Sequence, residues 1–223
     1  MNTPIKPEEA AHTRLRQTLM LLAAILLVGA LTPISPLASW IALALYLLGS
    51  LALLIWRALG LQEAESLFLR GPGLRTSLLW GFGLGTALLM AGLVGLPAMR
   101  APMADGAGDV PLDAVKQLLF GRGLVLLLPL LVVAEEGLWR GLLLSALLEL
   151  GLAPAGAVGL TTLGFGLNHL AVAPLALAER GALALMALPL GLVAAILTTQ
   201  TRCLWGAVLF HLLLIGAMLG SLR

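Results

Sequence analysis

Two adjacent glutamates sit inside an apolar run, Leu130-Leu131-Val132-Val133-Ala134-Glu135-Glu136-Gly137-Leu138-Trp139-Arg140-Gly141-Leu142-Leu143-Leu144, with Arg140 one turn beyond them. The run is apolar enough to lie in a bilayer. A charge near the bilayer centre costs about 2.5–3.5 kcal/mol on insertion scales. Three ionisable groups so close together therefore demand a polar interior, and a helix bundle is the structure that provides one. Composition points the same way. The chain has 223 residues, 60% hydrophobic and 11% charged, against about 45–50% and about 25% in soluble domains. Mean hydropathy is +1.04. At roughly 20 residues per span, this length holds one bundle of about six to eight spans. The expected fold class is all-α, a polytopic transmembrane bundle of about seven spans with an intramembrane polar site. A net charge of +2 offers no basis for binding nucleic acid. Cys203 is the only cysteine. It excludes an internal disulfide and a cysteine-rich metal site, and reads as core packing.

The amino terminus has Lys6, Arg14 and Arg16 before an apolar run, as a signal peptide would. No small-x-small cleavage pattern follows, and Thr32-Pro33-Ile34-Ser35-Pro36 reads as a turn between two spans. The expected spans are 18–34, 37–56, 76–98, 117–150, 155–172, 181–198 and 204–222. The fourth is too long for one perpendicular crossing, and Pro129 is the expected kink. The longest polar loop is expected at 99–116, with Asp105, Asp109 and Asp113. Three regions are expected: a cytoplasmic tail over 1–17, amino-terminal spans and loops over 18–120, and a catalytic core over 121–223. Basic residues favour a cytoplasmic amino terminus. That orientation puts Lys6, Arg14, Arg16, Arg57, Arg70, Arg75 and Arg202 inside. An integral protein of the bacterial inner membrane is the expected location. His169 then lies toward the outer half of the bilayer.

Helix geometry separates the two glutamates. Glu136 and Arg140 are four residues apart and share a face, with the carboxylate on the amino-terminal side, the favourable order for an ion pair. Glu135 points about 100° away and has no local cation. It is the carboxyl group suited to taking and giving protons. Two histidines lie in later spans. His169 closes Phe165-Gly166-Leu167-Asn168-His169, with Phe165 one turn back on the same face, and His211 lies in the last span. His12 belongs to the amino-terminal tail and reads as solvated. Lipid-facing positions are costly for Glu135, His169 and His211, so all three are expected to face one interior. Such a trio admits acid–base hydrolysis, with a carboxylate activating water and imidazoles carrying protons or stabilising an oxyanion. It also admits a zinc site of two histidines and a carboxylate, although the His-x-x-x-His spacing on one helix is absent. A structural polar network and a transport function remain open at this point. No internal repeat of the kind many transporters carry is visible.

Glu135-Glu136-x-x-x-Arg140, Phe165-x-x-x-His169 and the late His211 after Leu204-Trp205-Gly206-Ala207 resemble the motifs of the CAAX protease and bacteriocin-processing (CPBP, or ABI) family of intramembrane endopeptidases. The resemblance spans roughly 121–220. It implies a helical bundle with its site in a cavity open to one side of the membrane. It implies Glu135 as the base that activates water, His169 as its assistant and His211 as part of the oxyanion site. Glu136 and Arg140 would brace the motif, with Phe165 packed beside the catalytic groups. The implied substrate is a membrane-anchored protein or peptide cut near its anchor or carboxy terminus. No cofactor is expected; zinc is the alternative. One departure stands out: the family's last motif is usually His-x-x-x-Asn or Asp, and here the fourth residue after His211 is Ile215. Asn168 is the nearest residue of the right type, although it points away from the His169 direction. The departure keeps a non-catalytic relative, concerned with self-immunity or scaffolding, as the alternative.

Overall fold

Proline and polar caps set the helix boundaries. Pro36 and Pro154 each begin a helix, where the missing backbone donor costs nothing. Glu179 reaches back to accept the Ala176 N–H at 2.8 Å and opens another helix. The computed structural model describes residues 7–100 and 113–221, with side chains over 7–91 and 114–219. The expected loop aspartates Asp105 and Asp109 lie outside the described residues, as does the centre of that loop.

The described residues form only helices and connections, with no strand. The helices are α1 (Pro7–Ala30), α2 (Pro36–Gly60), α3 (Leu74–Arg100), the short α4 (Ala114–Gly121), α5 (Leu124–Glu149), α6 (Pro154–Val172), α7 (Leu177–Thr201) and α8 (Trp205–Ser221). Five of these are long and apolar enough to cross a membrane: α1, α2, α3, α6 and α7. Counting α4 with α5 as one bent span makes six. The described part of α8 is apolar but shorter. Five to six candidate spans thus stand against the seven expected. Helices of this number, length and hydropathy suit an integral membrane protein.

Two expectations change. The first helix starts at Pro7, so most of the segment expected as a tail is helical, and Arg14 is buried within the bundle. The bend in the fourth span is not at Pro129. It lies between α4 and α5, which meet at 76°. Gly123 takes a left-handed backbone there, φ +71°, which favours glycine because it lacks a Cβ. Pro129 instead occupies the first turn of the α-helical stretch that leads to Glu135, where proline is tolerated.

Helix ends on one side of the bundle are tied together by polar contacts. Arg14 of α1 donates to Glu63, in the α2–α3 connection, at 3.2 Å, and to Glu149 at the end of α5 at 2.5 Å. Arg57 donates to Glu63 at 2.6 Å. The Leu204 N–H donates to the Phe68 carbonyl, and Trp205 donates to the Leu69 carbonyl, both at 3.0 Å. Ser77 of α3 donates to the Cys203 carbonyl at 2.9 Å and accepts from the Gly206 N–H at 3.0 Å. Cys203 is buried there. The opposite side has its own ties. Arg180 donates to the Leu175 and Leu170 carbonyls at 2.7 and 3.1 Å, and Arg122 stacks over Trp40. Between these two layers lies the apolar core. Its largest cluster joins Tyr46, Leu138, Trp139, Leu142, Phe165 and Phe210.

Candidate active site

The α5 backbone widens just after the two glutamates. From Gly137 to Leu144 the hydrogen bonds run i→i+5 rather than i→i+4. Such wide turns are uncommon and recur at functional sites. All of Glu135, Glu136 and Arg140 are buried. Arg140 lies 3.3 Å from Glu136. It also donates to the Gly191 carbonyl of α7 at 2.9 Å and sits over the Phe165 ring at 4.7 Å. Gly191 permits this approach: a Cβ there would come 3.0 Å from Phe165 and 3.4 Å from the guanidinium.

Glu136 has a second partner that helix-face arithmetic could not supply. His211 Nδ1 lies 2.9 Å from its carboxylate, so Glu136 joins α5 to α8 as well as holding Arg140. The other ring nitrogen, Nε2, lies 3.7 Å from Glu135. That is beyond direct hydrogen-bond reach and leaves room for adjustment. Glu135 thus has His211 nearby and no cation of its own. His169 donates from Nδ1 to the Phe165 carbonyl at 2.9 Å. In the neutral ring this leaves Nε2 as an acceptor. The His169 ring packs edge-on to Phe165, with centroids 4.8 Å apart, and Phe165 meets the His211 ring at 6.1 Å. Phe165 is fully buried and lies between Arg140, His169 and His211.

A cavity of about 220 Å³ gathers these groups. Glu135, Asn168, His169 and His211 all line it, and so does Ile215. The rest of its wall is mainly leucine. Most of that wall comes from α4, the start of α5, the end of α6, the start of α7 and the later turns of α8. These parts lie on the Arg180 and Arg122 side of the bundle. Glu136 and Arg140 are behind the wall rather than on it. Asn168 is 2% exposed, and neither its amide nitrogen nor its oxygen has a partner among the described residues. His12 is exposed, near the start of α1 and away from the cavity wall.

One residue of the cavity gave no signal in the sequence. Tyr46 of α2, the single tyrosine of the chain, lines it as well. Its hydroxyl accepts the Trp139 indole N–H at 2.8 Å. A lone tyrosine in an apolar span has no periodic or motif signature, so only the packing of α2 on α5 reveals it. Among the described residues no three His, Cys, Asp or Glu side chains are arranged to hold a metal ion.

Comparison with known proteins bears on the carboxy-terminal part of the chain. Residues 117–215 match the family described as type II CAAX prenyl endopeptidase Rce1-like. No curated protein and no solved structure gives a significant match. The matched stretch contains the paired glutamates, Arg140, Phe165, His169 and His211, the residues on which the resemblance to CAAX proteases rests. Over residues 117–215 the chain is thus similar to the Rce1-like CAAX endopeptidase family.

Proposed function

We propose that this protein is an intramembrane endopeptidase that hydrolyses a peptide bond close to the membrane anchor or carboxy terminus of its substrate, using water activated by Glu135. The observation that carries this reading is a buried carboxylate without its own cation, on the wall of a cavity that also holds two histidines. Glu135 takes a proton from water as the oxygen attacks the carbonyl carbon, and the carbonyl oxygen becomes an oxyanion. His169, with Nε2 free to accept, orients the water. His211 donates from Nδ1 to Glu136, so it contributes to the oxyanion site as the imidazolium, with its Nε2–H on the Glu135 side as the donor. The tetrahedral intermediate collapses as the C–N bond breaks, and the leaving amine takes the proton held by Glu135. A water and an amide thus become a carboxylic acid and an amine. Glu136, Arg140 and Phe165 fix the positions of these groups and do not touch the substrate. No metal takes part in this scheme.

The substrate class is a membrane-anchored protein or peptide. The apolar wall suits a chain segment delivered from the bilayer, and the family acts on anchored proteins. Seven crossings, with α4–α5 as one and α8 as the last, fit the alternation of helix ends between the two polar layers. The Lys and Arg bias then places the Arg14–Glu63 side in the cytoplasm of a bacterial cell, and the cavity opens toward the outer face. Residues 121–223 form the catalytic core. The amino-terminal spans contribute a wall.

The apolar Ile215 favours a second reading, a non-catalytic relative. One experiment separates the two. Purified protein in vesicles is incubated with a reporter carrying a carboxy-terminal membrane anchor. Cleavage by the wild type and none by Glu135→Gln supports the protease. Equal cleavage by both ends the glutamate mechanism, and no cleavage by either across a panel of anchored reporters favours the non-catalytic role.

A further inference from the structure

Asn168 presents an energetic problem that the packing alone does not solve. An amide side chain carries two donor hydrogens and an acceptor oxygen. Leaving a buried polar group unpaired costs about 1–3 kcal/mol. Both polar atoms of Asn168 are buried and without a partner among the described residues. Thr161 of the same helix, by contrast, donates to the Ala157 carbonyl at 2.9 Å. A few other buried polar atoms lack partners, among them hydroxyls of Ser50, Thr162 and Thr198. None of those residues lines the cavity, whereas Asn168 does, together with Glu135, His169 and His211. Ile215, on the same wall, has no donor to offer. Asn168 thus borders the reacting space with an amide that no described protein group engages.

We infer that Asn168 is a catalytic residue whose side-chain amide donates a hydrogen bond to the oxyanion formed at the scissile carbonyl. This rests on the proteolytic reading above. A donor kept unpaired in the resting protein is stabilising only when negative charge develops, which is the condition for lowering the barrier. The amide gives no proton away. It strengthens one hydrogen bond as the water oxygen adds to carbon, and releases it when the C–N bond breaks. Asn168 is then paired only during turnover.

The test uses Asn168→Leu, a side chain of similar volume that removes the polar atoms. Loss of one oxyanion donor lowers kcat by about 10²–10³-fold in well-studied proteases. Asn168→Leu should show a fall of that order in kcat on the anchored reporter, with KM little changed. Its melting temperature should be equal to or above that of the wild type, because a buried unpaired amide is gone. A structural amide would give the opposite pattern, lower melting with unchanged kcat. Ile215→Asn added to Asn168→Leu should recover part of the lost kcat, since it places an amide elsewhere on the same wall. Wild-type cleavage that needs Glu135, with kcat of Asn168→Leu within threefold of the wild type, overturns this assignment and leaves the protease reading standing. Cleavage that survives Glu135→Gln, or absent from the wild type, overturns both. Should Asn168→Leu and Asn168→Ala both fail to fold, Asn168 is a residue of the fold and the inference is wrong.

Discussion

Two clusters of arginine and glutamate lie in this bundle, one at the helix ends and one at the cavity, and they are built on opposite plans. In the cluster at the helix ends, Arg14 and Arg57 face Glu63 and Glu149. Two cations meet two carboxylates, and each charge has a partner of opposite sign. In the cluster at the cavity, Glu135 and Glu136 share a single Arg140, which is committed to Glu136. His211 stands between the two carboxylates, 2.9 Å from one and 3.7 Å from the other. The first cluster is closed: it fastens α1, α2, the following loop and α5, and its charges are paired with one another. The second is left one cation short at the residue that faces a cavity. Residue type does not distinguish a fastener from a candidate reactive site here. Charge balance and access do.

The contrast can be broken most directly at Glu135. Glu135→Gln keeps shape and removes the base. General-base catalysis contributes about 10²–10⁴-fold, so cleavage should fall by at least that range. The melting temperature in detergent should stay at the wild-type value, because no partner is stranded. A clear loss of stability would mean that Glu135 is held as tightly as the helix-end carboxylates, and the distinction between the clusters would fail.

Glu136→Gln should show the reverse balance. It strips the charge partner from Arg140 and weakens the anchor of His211. Breaking a buried pair costs about 3–5 kcal/mol. Denaturation measured in detergent should register a loss of that size. Activity should also drop, through a misplaced His211. An unchanged melting temperature would show that the Gly191 carbonyl alone holds Arg140.

These two glutamates also show what a reader of the sequence can and cannot reach. Spacing of four placed Glu136 and Arg140 on one face, and the same spacing put Phe165 beneath His169. Both rest on local helix geometry, which the chain carries within a single turn. The bundle class was legible from composition for a similar reason, since apolar length suffices. The bend was not: Pro129 carried the obvious signal, but the break depends on Gly123 adopting a left-handed backbone. Tyr46 and Trp139 are distant in sequence and met only through helix packing. The helix-end cluster was equally hidden. Arg14 and Arg57 entered the sequence argument only as topology markers, and nothing local linked them to Glu63 or Glu149.

That cluster yields a smaller expected effect. Glu63 serves both Arg14 and Arg57. Glu63→Gln leaves Arg14 with Glu149, and keeps a weaker acceptor for Arg57. Hydrogen bonds to charged groups contribute about 1.5–3 kcal/mol, and a stability loss within that range is expected. Turnover per folded molecule should match the wild type, since Glu63 is remote from the cavity. A kcat change comparable to that of Glu136→Gln would mean that the two clusters are coupled along α5.

The smallest effect is expected from metal removal, and it bears on why the second cluster is left unbalanced. A resident dication would supply the positive charge that Glu135 lacks, and the comparison between clusters would then collapse. The described residues offer little for such an ion. His211 has one nitrogen committed to Glu136, and His169 has one committed to the Phe165 carbonyl. Only their remaining nitrogens and Glu135 face the cavity side. They come from three helices, and no three such ligands are arranged to hold a metal. Metal-bound histidines are usually oriented by a hydrogen bond at the second nitrogen, so those two bonds alone are compatible with either scheme. Under the proposed glutamate mechanism no such ion is needed. Treatment of active enzyme with a strong chelator should therefore leave kcat and melting temperature unchanged, and elemental analysis should find zinc well below one per chain. Stoichiometric zinc, with activity lost on chelation and restored by zinc alone, would make Glu135, His169 and His211 ligands. The missing cation beside Glu135 would then have been the metal.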